Sequence, residues 1–152
     1  MQRQQERLGE ILIGQGLIHA EQLKAALEEQ AGTKEFLGSI LVKKKQIKED
    51  DLLLALSKQF DLPVVDLRYK YIDWNFVKNF SPSLILDHHC FPVEGDDFSV
   101  TIAISNPLDI WAMKEAEGAA RGFKLKLVLV SENDIQEAAE RYRQYIQKKI
   151  TR

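Results

Sequence analysis

The sequence is poor in cysteine, in net charge and in long apolar runs, and each shortage removes a class of protein. One cysteine, Cys90, excludes an intramolecular disulfide framework and fits a reducing, cytoplasmic compartment. With 21 basic and 23 acidic side chains the net charge is −2, which argues against binding to a nucleic-acid polymer. Since no run of about 18 apolar residues occurs, the sequence predicts no membrane insertion, and its polar N-terminus does not resemble a secretory signal.

Sequence patterns of catalysis and metal binding are also missing. A nucleoside triphosphatase needs a G-x-x-x-x-G-K-[ST] loop to hold phosphates, and the sequence contains none. His88, His89 and Cys90 are consecutive, and neighbouring side chains on an extended strand point to opposite faces, so they do not form a metal-ligand set. We therefore expect no catalytic residues, no metal and no cofactor, and the chain is predicted not to be an enzyme.

What the sequence does contain is an internal repeat with a period of 29 residues. Residues 8–30 align with residues 37–59, and nine of the 23 aligned pairs are identical. A period between about 20 and 50 residues is typical of duplicated supersecondary units. In the first copy, Leu8, Ile11 and Leu12 form one face of a helix, and Gly14 and Gly16 end it. A second helix is predicted from about Ala20 to Gln30.

Each copy carries a glycine near its start and a glutamine at the end of its apolar stripe. Gly9 and Gly38 lack Cβ, so backbone groups there can approach a ligand closely. Gln30 and Gln59 each follow a leucine-lined face and can both donate and accept hydrogen bonds. This combination suits a flat heterocycle, and two copies suit a ligand with two such rings. The alternative is that each glutamine lies at a solvated helix end.

These residues resemble the MshEN domain, the N-terminal module of type II secretion and type IV pilus assembly ATPases. Its signature is a tandem R-L-G-x-x-L-x-x-x-G-x-L-x-x-x-x-L-x-x-A-L-x-x-Q motif. Here the first copy runs from Arg7 to Gln30 and the second from Phe36 to Gln59, separated by a five-residue spacer. The resemblance implies binding of cyclic di-GMP, a second messenger with two guanines and two phosphates. Cyclic di-GMP would be a regulatory ligand, not a cofactor.

The resemblance also implies which residues form the site. Arg7 matches an arginine that contacts guanine, which a guanidinium can do through two parallel hydrogen bonds. We expect Arg7 and Gln30 to read one guanine and Gln59 the other. The expected ligand-binding residues in the repeat are Arg7, Leu8, Gly9, Leu23, Leu27, Gln30, Leu37, Gly38, Leu52, Leu56 and Gln59. Asn106 is added because relatives carry an aspartate there, although asparagine before Pro107 is also an ordinary turn former.

The second copy departs from the motif. Lys45 and Gln46 replace the glycine and apolar residue of the first copy, and lysine is strained where φ is positive. We therefore expect a less well-formed second loop and a weaker second half-site. Lysines at positions 43, 44, 45 and 48 are able to attract phosphates, but an ordinary solvated face explains each of them as well.

Beyond residue 60 the patterns are those of a small α/β unit. Strands are predicted at 90–93, 99–104 and 124–130, with helices opening at Ser81-Pro82, near Ile110 and after Ser131. The predicted fold is α+β: a tandem helix-pair repeat at 1–60 that binds the ligand, a linker at 61–80, and a three-stranded α/β unit with a long C-terminal helix at 81–152.

Two functions remain open at this point. The first is that the chain is a cyclic di-GMP-binding regulatory module of the type found on secretion and pilus assembly ATPases. Alternatively, it is an adaptor that docks a secretion motor onto an inner-membrane platform protein and binds no nucleotide. Its expected partners are cyclic di-GMP and either an ATPase domain or the platform protein. A third interpretation, a purely structural helical scaffold, gives no reason for the paired glutamines.

Overall fold

The computed structural model describes residues 2–68 and 70–150, and within them the chain forms an α+β structure, as predicted. It divides into two compact units, the first ending at Asp61 and the second beginning at Leu62. The helices of the first unit are α1 (Gln2–Gly14), α2 (Ala20–Thr33), α3 (Leu37–Lys43) and α4 (Glu49–Phe60). Those of the second are α5 (Trp74–Val77), α6 (Pro82–Leu86), α7 (Ile110–Ala119) and α8 (Glu132–Ile150). The strands are β1 (Phe91–Gly95), β2 (Ser99–Ile104) and β3 (Lys124–Leu129).

In the first unit the 29-residue repeat appears as two helix pairs whose loops are alike. At the start of α2, Gln22 Oε1 accepts the His19 N–H at 2.9 Å, and at the start of α4, Asp51 Oδ2 accepts the Lys48 N–H at 3.2 Å. Both are the same capping contact, from the third helical residue back to the N-cap. The repeat of the sequence is therefore also a repeat of local geometry.

The helices of the two copies pack crosswise: α1 lies against α4, and α2 lies against α3. Leu8 and Leu12 of α1 are fully buried, as are Leu37 and Leu41 of α3. These are the i and i+4 positions of each first helix, so the apolar stripe identified in the sequence is the core-facing one. The crosswise packing brings the second helix of each copy beside the first helix of the other.

The second unit is a three-stranded sheet in the order β1-β2-β3. β1 runs antiparallel to β2 with a bulge between Pro92 and Glu94, and β2 runs parallel to β3 through the α7 crossover. Residues of α8, including Ile135 and Tyr142, share a core with Phe91 and Val128 of the sheet. Ser81 and Asp109 cap α6 and α7 through their side chains.

Residues 61–80, interpreted as a linker from the sequence, contribute to this core. Leu67, Ile72 and Val77 are buried in it, and Val65 donates its N–H to Leu129 O at 2.9 Å. The short helix α5, which the sequence analysis does not predict, carries Trp74, whose ring stacks on Tyr145 with 4.8 Å between centroids. Among the described residues, none of the helices combines the length and the apolar character needed to span a membrane.

Candidate functional site

The first unit contains an open cleft of about 440 Å³ between one face of α1 and the end of α4. Its walls carry both charge signs, two amides and an aromatic ring. The lining residues are Arg3, Gln4, Glu6, Arg7, Glu10, Gln59 and Phe60. Guanidinium groups can bind phosphate oxygens or the acceptor edge of guanine, and carboxylates can accept from N–H groups. The cleft thus offers both hydrogen-bond donors and hydrogen-bond acceptors to a polar ligand.

Two of the predicted site residues meet in this cleft, but not the two that the sequence analysis pairs. Arg7 was expected to share a guanine with Gln30, whereas the structure brings Arg7 together with Gln59. The reason is the crosswise packing, which places the end of α4 beside the start of α1. Gln59 Nε2 donates to the backbone oxygen of Gln4 at 2.9 Å and to its side-chain oxygen at 2.8 Å.

Gln30 lies in the interior, only 5% exposed, at the end of α2. Its Nε2 donates to Glu35 O at 3.1 Å and to Gln5 Oε1. Gln5 Oε1 also accepts the Leu37 N–H at 2.9 Å, which is one of the N–H groups that the start of α3 leaves without an intrahelical partner. Since Glu35 O can only accept and the Leu37 N–H can only donate, the orientation of both amides is fixed.

Each motif glutamine has a side-chain amide oxygen that accepts no hydrogen bond from the described residues. Among the described residues, Gln30 Oε1 and Gln59 Oε1 are buried and have no hydrogen-bond partner. Leaving a buried acceptor unsatisfied costs about 1–3 kcal/mol. The equivalent positions in the two copies therefore have the same hydrogen-bonding state, with the amide nitrogen used and the amide oxygen unused.

The two motif glycines make room for leucines of the same copy. A Cβ on Gly9 would overlap Leu23 Cδ1 and lie 2.9 Å from Leu23 Cδ2. A Cβ on Gly38 would lie 2.5 Å from Leu52 Cδ1. The sequence analysis expected a ligand to approach the backbone at these glycines, whereas in the structure a leucine from the second helix of each copy occupies that space. The 14-residue spacing between glycine and leucine, identical in both copies, is the sequence signal of this contact.

The six candidate leucines divide into two groups. Leu8, Leu37 and Leu56 are in the interior, exposed by 2% or less. Leu23, Leu27 and Leu52 are half-buried. Leu23 and Leu27 form a shallow apolar hollow of about 410 Å³ on α2, together with Ala20, Ala31 and the stems of Lys24 and Glu28.

The loop of the second copy is formed as well as that of the first, so the expectation of a poorly formed loop is wrong. Gly16 has φ of +75° and Lys45 has φ of +60°. Each copy makes the same two helix-ending hydrogen bonds. The Gly16 N–H donates to Ile13 O and the Lys45 N–H donates to Val42 O, both at 2.9 Å. In each copy the N–H of the following residue then donates to the carbonyl five residues before it, at 3.0 Å. Backbone groups alone make these bonds, so the side chain at position 45 does not prevent them.

Two of the lysines considered for phosphate binding are already paired with carboxylates. Lys43 Nζ lies 2.6 Å from Glu35 Oε2, and Lys44 Nζ lies 3.6 Å from Glu29 Oε2. Surface pairs of this kind contribute little to stability. They agree with the interpretation of this lysine run as a solvated face.

Gln5 is a residue that the sequence analysis does not identify. It is 7% exposed and is a hydrogen-bond partner of Gln30. The available signal is its position, because Gln5, Leu8 and Leu12 fall at i, i+3 and i+7 on the buried face of α1. A polar residue on an apolar stripe indicates a buried hydrogen-bond network.

In the second unit, Asn106 has the role of a turn former. Its Oδ1 accepts the Leu108 N–H at 2.9 Å, two residues along the chain.

His88 stacks on Trp111, and His89 Nδ1 lies 3.8 Å from Glu132 Oε1. Burial, together with the charges of Asp109 and Glu115, raises the pKa of Cys90 to about 12, so this thiol is not a nucleophile at neutral pH. Within the described ranges, no group of three or more His, Cys, Asp or Glu side chains is arranged to hold a metal ion.

The structure is similar to solved structures of two related modules. A structure of MshE with cdg, that is, cyclic di-GMP, superposes with a TM-score of 0.81 at 26% identity, covering 89% of this chain and 97% of that chain. The N-terminal domain of XpsE superposes with a TM-score of 0.73, covering 91% of this chain and 94% of that chain. At 23% identity, the XpsE likeness establishes the fold alone.

At the level of sequence, the type IV pilus assembly ATPase PilB of Myxococcus xanthus (strain DK1622) is 33% identical over 136 residues. The aligned part is 90% of this chain and 24% of PilB, so the chain spans about a quarter of the length of that relative. The family model of the MshEN domain matches residues 60–147, which lie almost entirely in the second unit. Because that match covers more than half of this chain's residues, the chain belongs to the MshEN domain family.

Proposed function

We propose that the chain is a regulatory module that binds cyclic di-GMP through its repeat region, residues 1–60. The observation that carries the proposal is the likeness to MshE solved with cyclic di-GMP, which covers 89% of the chain and so includes most of the repeat. The cleft that holds Arg7 and Gln59 supports it chemically, because the cleft offers charged donors to a dianionic nucleotide.

Arg7 and Gln59 are the proposed direct polar contacts, and the half-buried leucines are the proposed apolar contacts for the guanine rings. Gln30 contributes its unused amide oxygen. Ligand binding must first expose this side chain, which is only 5% exposed. The remaining proposed residues of the repeat shape the site from beneath: Leu8, Gly9, Leu37, Gly38 and Leu56. Asn106, a turn former of the second unit, stays a prediction of the family resemblance.

The module is proposed to be non-enzymatic and cytoplasmic. The sequence has no phosphate-binding loop of the G-x-x-x-x-G-K-[ST] type, and its relative PilB is an ATPase of which this chain matches only 24%. We therefore propose that the module reports ligand binding to a secretion or pilus ATPase domain and performs no catalysis of its own.

Calorimetric titration of the wild-type chain with cyclic di-GMP tests the proposal. We expect one ligand per chain, and we expect Arg7→Ala to weaken binding about 10- to 100-fold, since charge-assisted hydrogen bonds contribute about 1.5–3 kcal/mol. Cyclic di-AMP, which has the same phosphates but different bases, is the matched ligand control. Absence of heat and of any thermal shift with excess cyclic di-GMP would refute the proposal.

An adaptor that docks a motor onto an inner-membrane platform protein is the second candidate. Exposed aromatic side chains in the second unit favour it, because such residues are enriched at protein interfaces. Phe98 is 81% exposed and Trp111 is 66% exposed. If cyclic di-GMP does not bind, while Trp111→Ala abolishes capture of a purified platform domain, the adaptor function is the correct one.

A further inference from the structure

We infer that Arg3, which lies outside the repeated motif, is a second arginine of the ligand cleft and contacts a phosphate group. The inference rests on the proposed function, because it assigns a role within the same site. Arg3 and Arg7 are four residues apart on α1 and therefore lie on the same face of the helix, one turn from each other. Both line the cleft that also contains Gln59 and Phe60.

The helical turn that carries Arg3 exists in only one of the two copies. α1 begins at Gln2, six residues before Leu8, whereas α3 begins at Leu37, the residue equivalent to Leu8. Residues 34–36, which connect α2 to α3, are not helical, and Lys34 among them has φ of +61°. The extension of α1 is thus a departure from the repeat, and it supplies most of the lining of the cleft.

Neither guanidinium group of the cleft is held by an ion pair with a described residue. Within residues 2–68 and 70–150, no ion pair within 4.0 Å involves Arg3 or Arg7, although Glu6 and Glu10 line the same cleft. Binding an anion therefore costs neither arginine an existing ion pair. Like charges four residues apart on a helix repel each other, and a phosphate between them replaces that repulsion by two attractions.

Phosphate binding and base reading make different demands on an arginine. A phosphate accepts hydrogen bonds from several directions, so a lysine, which keeps the charge, retains much of the contact. Guanine is read through two parallel hydrogen bonds from a planar fork, which lysine does not reproduce. Arg3 is assigned to phosphate because Arg7 already occupies the motif position that matches the guanine contact.

The test is calorimetry with cyclic di-GMP at about 50 and 300 mM NaCl. We expect Arg3→Gln to weaken binding about tenfold at the lower salt and less at the higher salt, because an exposed ionic contact is screened. Arg3→Lys is expected to stay within about threefold of the wild type, while Arg7→Lys loses about tenfold or more. Lys114→Gln, at an exposed position of α7, makes the same charge change outside the cleft and should leave binding unchanged. Circular dichroism verifies that each variant is folded.

The outcomes separate this inference from the proposed function. If Arg3→Gln binds like the wild type at both salt concentrations while Arg7→Ala is weakened, the role of Arg3 is refuted and the function stands. If Arg3→Lys is as weak as Arg3→Gln, Arg3 contacts a base and the phosphate assignment is wrong. If the wild type itself binds no cyclic di-GMP, the proposed function fails.

Discussion

Replacing Gly9 with alanine tests whether the motif glycine serves the packing of the repeat. An alanine Cβ would lie 2.9 Å from Leu23 Cδ2 and 3.2 Å from Leu23 Cγ, and it would overlap Cδ1. The whole end of the leucine must therefore move, and overpacking of this kind costs about 1–3 kcal/mol. Alanine recovers about 0.5–1 kcal/mol because it is the better helix former. From the middle of these two ranges, the expected net effect of Gly9→Ala is a destabilisation of about 1.3 kcal/mol.

The chain offers a matched control in Gly32. It also lies within a helix, α2, but a Cβ there meets no atom within 4 Å. Gly32→Ala therefore gains helix propensity without a clash and should stabilise the first unit by about 0.5–1 kcal/mol. In a Leu23→Ala background the clash is removed, so Gly9→Ala should also become stabilising. Such a reversal of sign between backgrounds identifies the contact directly.

The assay is thermal unfolding followed by circular dichroism at 222 nm together with aromatic fluorescence. The first unit has neither tryptophan nor tyrosine, so fluorescence reports on the second unit alone and circular dichroism on both. We expect Gly9→Ala to lower Tm by about 5–10 °C, given about 4–8 °C per kcal/mol for a domain of this size. Equal changes in stability for Gly9→Ala and Gly32→Ala would refute the reasoning.

Two further predictions concern backbone strain and pH. Lys45→Gly should stabilise the first unit by about 0.5–1 kcal/mol, because φ at Lys45 is +60°. The same substitution should leave the affinity for cyclic di-GMP unchanged or improved. A loss of affinity at low salt would show instead that Lys45 contacts a phosphate. Hydrogen bonds from Arg68 lower the pKa of Asp66 from 3.8 to about 2, so its carboxylate stabilises the fold above about pH 4, and that contribution is lost as the pH falls towards 2. The Tm difference between wild type and Asp66→Asn should therefore shrink from pH 6 to pH 2, and a constant difference would contradict this.

Local structure was predictable from the sequence because it depends on neighbouring residues. The positions of Leu8 and Leu12 set the buried face of α1, with Ile11 half-buried beside them, and Ser81-Pro82 marked the start of α6. Alternating apolar residues marked β3, and Ser131 caps α8 by accepting the Asp134 N–H. The 29-residue period identified the two copies, and the structure gives both the same loop geometry.

The short helix α5 and the core residues of 61–80 were not predictable in the same way. This stretch has no sustained periodicity, and Leu67, Ile72 and Val77 are buried only because the sheet and α8 cover them. Burial of isolated apolar residues in an irregular segment is decided by what packs on them. The sequence shows such residues as apolar but does not show their partners.

In the candidate site, too, some features follow from the sequence and others from tertiary packing. The sequence by itself determined that the chain carries two matched copies of a motif, each with a glycine, a leucine stripe and a glutamine, because these features repeat at a fixed spacing. Only the tertiary structure decided that Arg7 shares a cleft with Gln59 and that Gln30 is held by Gln5. The physical reason is that periodicity specifies which face of a helix is buried, whereas the helix that meets that face is set by packing between residues far apart in the chain.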